Sequence, residues 1–188
     1  SRFAVYGTRH GLTYDVATCI YEDGRSNTWI GTERGLNRLT AGGITRYTTN
    51  EGLSWNLVFT VCDDPRGGLW VGTLRGLNYF FDDRFTVFRA QDGLPSGIIW
   101  CSYRDRGDNV WIGTQNGLAR VQSGKFRAFT HDGDGLSHDD IRAISEDRAG
   151  RLWVGTSYGL NLLEGERFRV FKEAAPGHQF KVVLALHA

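Results

Sequence analysis

Short apolar runs of about five residues alternate with polar, glycine-rich breaks along nearly the whole chain. Around its middle, apolar, β-branched and aromatic residues fill 57–62, 69–73, 77–81 and 85–89. The breaks between them are Asp63-Asp64-Pro65-Arg66-Gly67, Leu74-Arg75-Gly76 and Asp82-Asp83, and the last run ends at Asp92-Gly93-Leu94. Runs of this kind bounded by Asp, Pro and Gly predict β-strands joined by tight turns. Four consecutive strands, a to d, with turns of a few residues make an antiparallel meander. Some runs do not alternate: Ile98, Ile99 and Trp100 are consecutive in one strand a. A strand covered on both faces reads that way.

The four-strand group recurs. Trp29, Trp70, Trp111 and Trp153 each open an apolar-Gly-Thr segment followed, after two intervening residues, by Gly, and they stand 41, 41 and 42 residues apart. A period of this size predicts a β-propeller built of four-stranded blades, an all-β fold. The units run over 13–52, 53–93, 94–135 and 136–177. Residues 1–12 read as a spare outer strand d and 178–188 as a spare inner strand a. The chain therefore reads as cut from a longer array. Unpaired edge strands favour association between copies. Four units suit a small closed ring or half of a ring made by two chains.

Composition narrows the partners. The 188 residues carry 22 basic and 21 acidic side chains, a net charge of +1. That balance argues against a nucleic-acid or anionic-membrane surface. No stretch of about 18 apolar residues is present to span a membrane, and no signal peptide is visible. Cys19, Cys62 and Cys101 are well separated, with no CxxC, and read as core residues rather than a disulfide or metal set. Neither a metal nor another cofactor is expected.

What recurs in every unit is architecture first. Asp23, Asp64, Asp105 and Asp147 each stand six residues before a repeat tryptophan. A ring of carboxylates is one reading; Asp accepting N–H groups of its own a–b turn is the stronger one. The tryptophans are expected to fill the gaps between blades. The Gly-Thr pairs lack the GxxxxGK[ST] of a phosphate loop and are read as close backbone approach or positive-φ turns.

These residues carry a resemblance. The pattern D-x-x-G-x-L-W-V-G-T-x-x-G-L-N, then a strand and D-G-L-S, is similar to the two-component regulator propeller repeat, and 144–161 stand close to it. The resemblance covers nearly the whole chain. It implies an extracytoplasmic or periplasmic sensor module, one part of a larger signalling protein, answering a small extracellular ligand. Two departures sit in the third unit: Pro95-Ser96-Gly97 replaces a Ser-Xaa-Asn turn, and Ala119 replaces the Asn of 37, 78 and 161.

A ligand is expected on the face formed by the b–c and d–a turns, where the units differ. Tyr14, Trp55 and Tyr158 offer aromatic platforms, and Arg34, Arg75 and Asn116 offer donors, a combination suited to an oligosaccharide. His138, beside Asp139 and Asp140, belongs to the same face and is read first as a turn cap. No catalytic residue is assigned, because the His, Glu and Arg candidates are scattered. A self-assembling scaffold and a lyase- or sialidase-like propeller enzyme are the alternatives.

Overall fold

A computed structural model describes residues 4–122 and 124–171. They form four antiparallel sheets of four strands. Blade 1 holds β1 (Ala17–Glu22), β2 (Thr28–Thr32), β3 (Gly35–Thr40) and β4 (Gly43–Tyr47). Blade 2 holds β5 (Val58–Asp63), β6 (Leu69–Thr73), β7 (Gly76–Phe81) and β8 (Arg84–Phe88). Blade 3 holds β9 (Ile99–Arg104), β10 (Val110–Thr114), β11 (Gly117–Gln122) and β12 (Lys125–Phe129). Blade 4 holds β13 (Ile141–Glu146), β14 (Leu152–Thr156), β15 (Gly159–Glu164) and β16 (Arg167–Phe171). The predicted strands thus lie within a residue of those observed. The d–a connections add something the pattern did not announce: single helical turns at Thr49–Glu51, Ala90–Asp92 and His131–Asp134, with a matching turn at Thr8–His10 ahead of β1.

Blades stack through their inner strands: β1 packs on β5, β5 on β9 and β9 on β13. Each second strand also meets the next blade's first, as β6 meets β9. The glycines of the apolar-Gly-Thr segments in blades 1 to 3 make this possible. A Cβ at Gly72 would lie 2.5 Å from the Ile99 side chain, and one at Gly113 would lie 2.8 Å from that of Ile141. Close approach of this kind admits no side chain.

The cores lie between blades. Trp29 packs with Val58, Val71 and Phe80 of the next blade; Trp70 with Ile99 and Ile112; Trp111 with Ile141 and Val154. These three tryptophans are at most 2% exposed. Trp153, in blade 4, is only half-buried and meets Phe171 edge-on at 5.5 Å.

The four blades form an arc. No comparable packing joins β13 back to β1 among the described residues. The face of β1 away from blade 2 leaves Ile20 70% exposed and Val16, just before it, 49% exposed. Ala4–Tyr6, read from sequence as the end of a spare outer strand, lie in no strand, and Val5 and Tyr6 are exposed. No described strand c stands beside them to supply a ladder. The predicted spare inner strand, 178–188, falls outside the described residues.

Candidate functional site

The recurring aspartates do structural work. In each blade the Asp Oδ2 accepts the indole N–H of the tryptophan six residues on: Asp23–Trp29 at 2.8 Å, Asp64–Trp70 at 2.7 Å, Asp105–Trp111 at 2.8 Å and Asp147–Trp153 at 2.9 Å. Oδ1 accepts the backbone N–H two residues on, at 2.9 Å in all four. One side chain thereby closes the a–b turn and fixes the interblade tryptophan. Burial pushes the Asp64 carboxyl up, but donors from Arg66 and Trp70 outweigh it and hold the group below the usual carboxylate range. The Trp153 and Arg151 donors hold Asp147 well below it. With both oxygens committed to N–H donors of the turn and the indole, these carboxylates suit architecture and not proton transfer.

The cysteines are likewise inert. All three are free, and burial raises the Cys19 thiol to about 11 and those of Cys62 and Cys101 to about 12.

The face of the b–c and d–a turns is different. The backbone of each b–c turn is built alike: the N–H of Arg34, Arg75, Asn116 or Tyr158 donates to the threonine hydroxyl two residues back, at 3.0–3.2 Å. The side chains that follow are free to vary, and they meet partners from the d–a turn of the same blade. Arg34 lies over Tyr14 at 4.6 Å from the ring centre and Arg75 over Trp55 at 4.0 Å. In blade 4 the chemistry is exchanged: Tyr158 packs on His138 at 4.8 Å with 31° between the planes. Six of the seven predicted ligand residues thus fall into three planar pairs. Asn116 joins no such pair; its d–a neighbour is Ser96, whose hydroxyl instead accepts the Ile98 N–H at 3.2 Å.

His138 also does what its turn position predicted, its Nδ1 accepting the Asp140 N–H at 3.0 Å. Between the pairs of blades 1 and 2 lies an open cleft of about 1170 Å³, lined by Thr13, Glu33, Arg34, Thr48, Trp55 and Asn56 among others.

One row of residues was missed. The pairing of each strand a with its strand b slips by one residue, which leaves Thr18, Phe59, Trp100 and Arg142 out of register. A bulge re-aims the side chain it carries. The available signal was variation: position eleven before each tryptophan holds Thr, Phe, Trp and Arg, while the residue before it is Ala, Val, Ile and Ile.

Comparison with known proteins places this geometry. Residues 11–34, 52–75, 93–116 and 135–158 match the family model described as the two component regulator propeller. No curated protein sequence matches the chain significantly. Among solved structures, the extracellular domain described as that of a hybrid two component system of B. thetaiotaomicron shares 28% identity at a TM-score of 0.76, over 82% of this chain and 23% of that one. A second extracellular domain from the same organism, described as that of a one component system, gives 19% and 0.70, over 87% of this chain and 25% of that one. The present chain therefore spans about a quarter of these relatives. The virginiamycin B lyase of Staphylococcus aureus, solved in an inactive form with quinupristin, gives 16% and 0.67, over 87% of this chain and 59% of that one, a likeness of fold alone.

Proposed function

Since the chain belongs to the two-component regulator propeller family, we propose that it is a non-catalytic, extracytoplasmic sensing module of a larger signalling protein. It binds a small extracellular ligand, an oligosaccharide, on the face of the b–c and d–a turns. The observation that carries this is the set of planar pairs, Arg34 on Tyr14, Arg75 on Trp55 and Tyr158 on His138. The fold needs none of them, yet each blade that has one assembles it at the same place from different residues. Flat faces with donor edges suit sugar rings, which present apolar faces and hydroxyl rims. The similarity to sensor ectodomains supports the extracytoplasmic setting.

The test is thermal unfolding of the chain against a broad panel of soluble oligosaccharides. Stabilisation by a subset is expected, falling by about half or more of its size in Trp55→Ala at ligand concentrations near Kd, because a ligand at free concentration L stabilises by RT ln(1 + L/Kd), which shrinks as affinity falls. A flat response across the panel would count against the reading.

Association between copies is a second reading, favoured by the exposed Val16 and Ile20 on the outer face of blade 1. It makes the solution mass, measured by light scattering over a concentration series, rise above that of one chain. A constant monomer mass sets it aside.

A further inference from the structure

The inner wall of the arc carries a side-chain row that neither the repeat nor the paired turns account for. The bulges in β5, β9 and β13 bring Phe59, Trp100 and Arg142 together. The Phe59 and Trp100 rings sit 5.0 Å apart at 63°, and the Arg142 guanidinium lies 4.5 Å from the Trp100 ring centre. The row crosses two blade junctions, so three blades contribute one planar group each.

Its charge is cancelled locally. Arg142 Nε and Nη2 donate to Asp140 Oδ2 at 3.0 and 2.6 Å, and the Ser157 hydroxyl donates to the same oxygen. Two polar atoms are left over. The Trp100 indole N–H and Asp140 Oδ1 are enclosed by protein and have no partner among the described residues. A buried donor or acceptor left unpaired is costly, so such atoms call for a reason. The contrast with the repeat is sharp, since all four repeat tryptophans give their indole N–H to an aspartate.

We propose that this row is a subsite for a neutral carbohydrate ring on the inner rim of the ligand face. The ring lies against Phe59 and Trp100. One hydroxyl accepts the Trp100 indole N–H and donates to Asp140 Oδ1, which a hydroxyl alone among common sugar substituents does with a single oxygen. Entry requires the Arg142 guanidinium, on a side chain 32% exposed, to swing off the indole. The ligand is neutral because Arg142 is already matched by Asp140; a carboxylate would have to break that pair or lie beside Asp140 unpaired. This inference rests on the ligand-face reading above and names the ligand class and the residues that take it.

The experiment is a titration of the 15N-labelled chain followed through its tryptophan indole N–H resonances. The probes are cellobiose, maltose, xylobiose and the acidic digalacturonate. The expected result is that at least one neutral disaccharide moves the Trp100 indole resonance. Trp100→Phe, which keeps an aromatic face and loses the indole N–H, then binds that disaccharide about fivefold more weakly. Phe59→Leu, a smaller change to the fold, weakens it by a similar factor. Movement of Trp55 without Trp100 overturns the subsite and leaves the face reading standing. A Trp100 shift with digalacturonate alone overturns the neutral class. A neutral disaccharide that moves Trp100 but binds both variants unchanged overturns the contact. No shift of the Trp100 indole with any probe overturns the subsite; if the same probes also leave thermal unfolding unchanged, the face reading falls with it.

Discussion

At the scale of single residues, two departures in the third unit turn out to be one. In blades 1, 2 and 4 the Asn of strand c accepts the N–H of the residue just after the Gly-Leu that closes the helical turn: Thr13 to Asn37 at 2.9 Å, Ser54 to Asn78 at 2.8 Å and Ser137 to Asn161 at 2.8 Å. The same residue's hydroxyl meets the threonine that ends strand b, at 2.8–2.9 Å. In blade 3 the d–a residue is Pro95, which has neither N–H nor hydroxyl, and the acceptor is gone with it, replaced by the fully buried Ala119. Pro95→Ser alone therefore strands a donor, and Ala119→Asn alone strands an acceptor. Each is expected to cost about 1–3 kcal/mol. The double variant is expected to recover about 1 kcal/mol or more of the sum in a double-mutant cycle by urea unfolding. Additive losses would mean that the two sites do not communicate. Both substitutions were visible in the sequence as irregularities. Their connection was not, because it depends on strands c and d–a meeting across 24 residues of chain.

At the scale of elements, strand positions were legible because every unit repeats the same apolar runs between the same turn residues. The helical turns in the d–a connections were not, since Thr49–Glu51 and Ala90–Asp92 carry no apolar period that three residues can display. The bulges escaped for a related reason: a one-residue slip leaves no mark on an apolar run that is covered on both sides. Three of the four repeat tryptophans belong to closed interblade cores, and one does not. Trp70→Ala, at 1% exposure, is expected to destabilise the chain by about 3–5 kcal/mol. Trp153→Ala, on the half-buried side chain of β14, is expected to cost less than half of that. Equal losses in denaturant titrations would show that blade 4 is as tightly covered as blade 2.

At the scale of the molecule, each blade shares its core with its neighbours only. Stability in such an array is nearly a sum over units and their junctions. Native-state hydrogen exchange should then be graded, slowest in β6 and β10, whose residues are all buried, and fastest in β1, most of whose residues are exposed. Uniform protection across the blades would instead show one cooperative unit. Architecture was legible from a single recurring segment, and so was the face of the b–c and d–a turns on which six variable residues pair. The inner row was not, because its members share a position and no chemistry.

The interblade glycines have a mechanical consequence. A side chain at Gly72 would need the room that Ile99 holds, and one at Gly113 the room of Ile141. A single methyl group at either place acts as a spacer, prising two blades apart without touching a turn.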